Sequence, residues 1–147
     1  MPAREQFLLA VVGMLTGLPT TGANVFLGRV SDLAANELPA ILVRSGSESV
    51  APLTLAAPRQ LERRLTVLVG AVVRVADGLD TALNAIASEI EPALAMPNPL
   101  SGLNVAAVTL RVLAAPRMEQ GQQPVADITM QYEITYITAE DDPDVLA

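Results

Sequence analysis

Apolar residues near the start of the chain recur with helical spacing. Phe7, Leu8, Val11, Val12, Leu15 and Leu18 fall at three- and four-residue intervals, which places them on one face of an α-helix. A helix over 4–18 is expected after Pro2 and Ala3, and Leu18-Pro19-Thr20-Thr21-Gly22 stops it. The opposite face carries Gln6, Ala10, Gly13 and Gly17, mostly small residues suited to packing against a neighbouring backbone. Asn24-Val25-Phe26-Leu27 reads as a short strand and Ala40-Ile41-Leu42-Val43-Arg44 as a second. Pro39 stands at the start of the latter, where a missing N–H is tolerated. The segment 45–58 opens Ser-Gly-Ser-Glu-Ser and contains Pro52 and Pro58. It reads as a long loop, of a length that is functional or disordered in compact domains.

The pattern then changes to period two. Over 60–75, Leu61, Leu65, Val67, Val69, Ala71, Val73 and Val75 share one face, and Glu62, Arg64, Thr66 and Arg74 the other. A strand of this length exceeds the usual ~5–6 residues, so it is expected to bend at Gly70 or to project beyond its sheet as an arm. Asp77-Gly78 ends it. Leu79, Leu83, Ile86, Ile90 and Leu94 predict a second helix over 79–95, with Asp80 and Thr81 near its start and Pro92 disturbing its last turn. Met96-Pro97-Asn98-Pro99 breaks the chain again. Segment 103–113 alternates weakly, with Val108, Leu110 and Val112 on one face, and 115–124 reads as a polar hairpin connection. Segment 125–138 alternates cleanly: Ala126, Ile128, Met130, Tyr132, Ile134 and Tyr136 against Asp127, Thr129, Gln131, Glu133 and Thr135. Tyr132 and Tyr136 are expected at a core edge with their hydroxyls reaching outward. The resulting order predicts an α+β fold. It has a mixed or antiparallel sheet, two main helices on one face, and long loops or hairpin arms. Residues 1–139 are expected to form one domain, and 140–147 an unstructured acidic tail.

Composition narrows the chemistry. The 147-residue chain has no His and no Cys, which removes thiolate and imidazole metal sites, disulfides and any triad that needs a His base. Aromatics make up only 3%, so the core must be aliphatic. The net charge of −7 argues against a nucleic-acid surface, because phosphate binding needs a basic stripe. All nine basic residues are Arg, the side chain that clamps carboxylates in a bidentate fork. No apolar run reaches the roughly 18 residues of a membrane helix. The opening segment lacks a small-x-small cleavage site after Leu18, and Arg4 is offset by Glu5. It is read as part of a mature, cytoplasmic protein.

No catalytic motif emerges. Gly28-Arg29-Val30-Ser31-Asp32 lacks the lysine and glycine frame of a phosphate-binding loop. Ser45-Gly46-Ser47 has no histidine to act as its base. The acidic pairs Asp77/Asp80 and Glu89/Glu91, and the cluster Glu140, Asp141, Asp142 and Asp144, read as helix ends and solvated surface. A carboxylate-only enzyme or a small-ligand-binding domain built on the two pairs is the alternative from another class. No cofactor or metal is expected. What remains is long strands and long connections, and strand edges call for partners. Self-assembly follows, and a ring is the closed form of a head-to-tail contact.

Several segments, in order, carry a resemblance. They are Thr21-Gly22-Ala23-Asn24-Val25-Phe26-Leu27-Gly28-Arg29, Leu38-Pro39-Ala40-Ile41-Leu42-Val43, Ile90-Glu91-Pro92, Leu100-Ser101-Gly102-Leu103 and Ala126-Asp127-Ile128-Thr129-Met130-Gln131-Tyr132-Glu133-Ile134-Thr135-Tyr136. In sequence and spacing the chain resembles the tail terminator family of long-tailed phages, typified by minor tail protein U of lambda-like phages. It departs from that pattern in a Pro-richer 45–60 loop and a longer 103–124 connection. The resemblance implies a non-enzymatic structural protein that forms a hexameric ring on the tail tube, halts its polymerisation and presents a head-joining surface. The implied partners are further copies of the chain, the tail tube protein and the head–tail connector. DNA would pass an acidic lumen without specific binding, and no membrane is involved. The implied location is the host cytoplasm during assembly and then the virion tail. Another neck or tail-completion protein is the nearest alternative. For the interfaces, Arg44, Arg64 and Arg74 are expected to pair with carboxylates of a neighbour. Ser45, Gly46, Glu48, Pro52, Arg59, Arg117 and Glu119 mark the segments expected to act as arms.

Overall fold

The computed structural model describes residues 2–28, 35–74, 79–95, 107–119 and 125–146. Helix α1 spans Ala3–Leu15 and is followed by strand β1 (Val25–Leu27), a short 3-10 turn (Ala35–Glu37), β2 (Ala40–Pro52) and β3 (Gln60–Arg74). Helix α2 (Leu79–Ala93) leads to β4 (Ala107–Leu113), β5 (Arg117–Glu119), β6 (Val125–Ala139) and β7 (Asp142–Leu146). The strands form one mixed sheet in the order β1-β2-β3-β6-β4, with β5 and β7 also on β6. β1 runs parallel to β2, and the other pairings are antiparallel. The fold is therefore α+β, with both helices on one face of the sheet.

The two period-two segments become the central pair. β3 and β6 match residue for residue, from Gln60↔Ala139 to Arg74↔Val125, without a shift. Strict alternation sends Leu65, Val67, Val69, Ala71 and Val73 of β3 inward, beside Ala126, Ile128, Met130, Tyr132, Ile134 and Tyr136 of β6. The far edge of β6 is shared by three strands in turn: β5 opposite 125–127, β4 opposite 130–135 and β7 opposite 138–139. The helices cover the inward face. α1 buries Ala3, Phe7, Val11 and Leu15, one residue per turn, α2 buries Leu83, Ile86, Ala87 and Ile90, and Leu94 just after it is buried too. Phe7 meets Tyr136 edge to face, with ring centroids 4.6 Å apart and planes at 62°.

Several sequence expectations are corrected. α1 ends at Leu15 rather than at 18. Thr16 is extended and its hydroxyl takes the Val12 carbonyl at 2.7 Å, while Gly17 turns the chain with φ +93°. Gly13 packs against nothing, because a Cβ there would meet no atom within 4 Å. The supposed loop 45–58 is strand as far as Pro52, since pairing with β3 outweighs its polar composition. The register runs unbroken through Gly70, and the irregularity lies instead in β2, between Ser45 and Glu48. A shift between Leu110 and Val112 moves Val112 off the face of Val108 and Leu110, and it is exposed. Within 115–124, Arg117–Glu119 pairs with β6. The tail is not loose: its acids Glu140 and Asp141 occupy a turn, and Asp142–Leu146 then pairs back onto β6. Both tyrosines point inward, against the expectation of hydroxyls at the surface. Val75, Asp77 and the breakers at 96–99 lie outside the described residues, as do 103–106 and 120–124.

Gly13→Ala should raise stability by about 0.5–1 kcal/mol, read as a higher urea midpoint at unchanged slope, because it removes backbone entropy without a clash. Phe7→Ala should cost about 3–5 kcal/mol in the same measurement, because it empties a fully enclosed site.

Candidate functional site

β2 and β3 form a long hairpin, paired from Ala40↔Val72 to Pro52↔Leu61. Its connection, residues 53–59, is closed by Leu53 N–H donating to the Gln60 carbonyl (2.7 Å) and Gln60 N–H donating to Thr54 Oγ1 (3.0 Å). β1 pairs with β2 only at 41–43, and Gly28 N–H extends this by one bond to the Val43 carbonyl. Among the described residues, no strand pairs with the outer edge of β2 from Arg44 to Pro52. The tip carries apolar side chains in water, with Leu55 fully exposed and Leu53 and Val50 about half exposed. Unpaired backbone beside exposed aliphatic surface is what a partner chain can cover.

Beneath the hairpin lies a polar network. Ser45 faces Val67 and Glu48 faces Leu65, so β2 carries one extra residue at this point. The bulge turns Glu48 onto the inner face, where strict alternation would have placed Ser47. Gly46 suits the spot because a Cβ would press to 3.1 Å from Thr66 Cγ2. The Glu48 carboxylate accepts a hydrogen bond from the Tyr136 hydroxyl and lies 3.5 Å from an Arg63 guanidinium nitrogen. Arg63 Nε donates to Thr138 Oγ1 at 2.8 Å. Burial pushes the Tyr136 pKa up, and the hydrogen bond and charge of Glu48 add to it, against opposing effects of Arg63 and Arg4. Tyr132 is pushed up to about 12 by burial and secondarily by the charge of Glu91.

The predicted residues fall at two ends of the sheet. At the hairpin end, Pro52 closes the β2 ladder. Arg59 lies 3.6 Å from the Glu140 carboxylate, and its N–H donates to the same group at 2.9 Å. Ser45 and Gly46 form the bulge, and Glu48 is held inside the protomer. Arg64 is exposed but bonds Glu62 of its own strand at 3.0 Å. At the other end, Arg117 reaches Asp127 at 3.4 Å, and Glu119 pairs with Val125 in the ladder. Arg44 and Arg74 are exposed and have no carboxylate partner among the described residues. Sequence reasoning missed Arg63 and Thr138. Parity was the available signal, because Arg63 stands between Leu61 and Leu65 on the apolar face.

Arg74 also rims a cavity of about 260 Å³, otherwise lined by Thr20, Leu38, Pro39, Val73, Ala82 and Ile86. The cavity is apolar, not the acidic cleft that a carboxylate enzyme would need. Nearby Glu89 is engaged with the turn after α1, accepting from Thr20 N–H at 2.9 Å and from the Thr20 hydroxyl. Among the described residues, no group of three or more acidic side chains is placed to hold a metal ion. No described helix is long and apolar enough to cross a membrane.

The chain matches no protein-family profile and no curated protein. Among solved structures, it is similar to a chain in the virion of a native gene transfer agent (GTA) particle. The match covers 91% of this chain and 92% of that one, at 18% identity and a TM-score of 0.46. A likeness at that level carries no role across.

Glu48→Gln and Arg63→Met should each cost about 1–3 kcal/mol, since each leaves the other group without its partner. In a double-mutant cycle the pair should cost clearly less than the sum. A second outcome concerns alkaline pH. Folding raises both phenol pKa values, so the unfolded chain gives up those protons first. Their contribution to stability is complete below pH 10 and is lost as pH climbs toward about 12. Because the chain has only two tyrosines, tyrosinate absorbance and loss of circular dichroism should rise together.

Proposed function

We propose that this chain is a structural tail protein of a phage-like particle. Copies associate head to tail into a ring on the end of the tail tube, stop its growth and present the head-joining surface. Six copies per ring is the number the family resemblance implies. The observation that carries this reading is the β2–β3 hairpin, which brings together a strand edge unpaired among the described residues and an exposed aliphatic tip. Such a surface is costly unless another chain covers it. The partly buried Glu48 and Arg63, by contrast, are tied into the fold and paired to each other. Arg44 and Arg74, which have no carboxylate partner among the described residues, supply guanidinium groups for carboxylates of a neighbouring subunit. Ser45, Gly46, Pro52 and Arg59 lie along the hairpin, with Arg64 on its outer face, and Arg117 and Glu119 at the far end. The partners are then further copies, the tube protein and the head–tail connector. The net charge of −7 suits a lumen that DNA crosses without sticking. Assembly takes place in the host cytoplasm, and the protein ends in the virion tail.

The test is polymerisation of the cognate tube protein. Added at far less than one copy per tube subunit, the chain should shorten the tubes seen by electron microscopy, and alone it should sediment as a closed oligomer. Tubes that lengthen unchanged in its presence would overturn the reading.

A further inference from the structure

We infer that the aliphatic tip of the hairpin on one copy seats in the Arg74-rimmed cavity of the next, making the subunit contact a knob in a socket. Leu55 is fully exposed and Leu53 about half exposed on the tip. The cavity is about 260 Å³ and is walled by Leu38, Pro39, Val73 and Ile86, room enough for a leucine side chain. Burying that side chain removes apolar surface from water at both partners.

A protomer cannot fill its own socket. The tip adjoins Gln60 and the socket adjoins Arg74, so fourteen residue steps of one strand in unbroken register separate them. At ~3.3 Å per residue that is roughly 45 Å. Knob and socket at opposite ends of one body make a heterologous contact, which repeats from copy to copy and closes when the rotation permits.

Charge favours a second copy as the occupant. The turn beside the tip carries Glu140 and exposed Asp141, and Glu140 is bonded to Arg59 at the base of the tip. The socket rim carries Arg74, which has no carboxylate partner among the described residues. An incoming tip, whose Glu140 is offset by Arg59, thus brings the Asp141 carboxylate to that guanidinium. The closing of the chain of contacts into a ring rests on the function proposed above, whereas the contact itself does not.

Because the chain has no cysteine, single cysteines report the contact directly. Ala56→Cys places a thiol on the exposed tip and Ala82→Cys places one at the socket, where Ala82 is exposed. Mild oxidation of a mixture of the two variants should give a disulfide-linked dimer, and either variant alone should give none. The doubly substituted chain should give a ladder whose top band counts the subunits. Leu55→Ser should weaken self-association at least tenfold in sedimentation while leaving the urea midpoint of the protomer unchanged. A ring in sedimentation with no mixed dimer overturns the knob and socket but leaves the ring standing. Dimers of Ala56→Cys alone show a symmetric tip contact and also overturn it. A mixed dimer from a chain that neither closes nor caps tubes supports the contact and removes the ring.

Discussion

Fifteen consecutive residues of β3 find fifteen partners in β6 with no slip in register, and this pairing decides the rest of the molecule. Each strand presents one face to the helices, so a shift of a single residue would expose the whole aliphatic set. A pair this long also creates long edges. That of β6 is closed by β5, β4 and β7 in succession, and that of β3 by β2. Among the described residues, the unmet edge is thereby moved outward to β2, where β1 meets only its first few residues. The open edge that defines the candidate interface is a consequence of how the core is built.

With two Phe, two Tyr and no Trp, the interior depends on branched aliphatics and on position rather than on bulk. The edge-to-face contact of Phe7 with Tyr136 ties α1 to β6. The same Tyr136 reaches Glu48 through its hydroxyl, so helix, central strand and hairpin meet at one side chain. Glu48, Arg63 and Thr138 extend that junction to polar groups on three neighbouring strands. A network of this kind fixes geometry more than it adds net stability, since desolvation offsets much of the attraction. It lies a few residues from the tip of the hairpin and ties that end to β6.

Strict alternation made β3 and β6 readable from the residues, and helical spacing did the same for α1 and α2. The segments that defeated sequence reasoning failed for identifiable reasons. Residues 45–52 carry Ser, Gly, Glu and Pro, a loop composition, yet the β3 backbone recruits them as a strand. The bulge at Ser45–Glu48 and the shift at Leu110–Val112 each reverse which residues face inward, and no local propensity marks them. The acids after Ala139 suggest a solvated tail, but only Glu140 and Asp141 form the turn, and the backbone beyond them bonds to β6. Of the candidate site, the exposed arginines were readable. The inward pairing of Arg63 with Glu48 required both the bulge and the parity of β3.

The position of β6 in the chain has a consequence for synthesis. The strand that receives β3, β4, β5 and β7 leaves the ribosome after all of them but β7, because Gln60 must wait for Ala139. Until then a nascent chain can hold only the β2–β3 hairpin and its helices, with the inner edge of β3 bare. Contacts so distant along the chain form slowly. Translation itself thus times the maturation of the subunit: the completed sheet exists only once β6 and β7 have been made, and fragments released before them have no finished body to carry the hairpin.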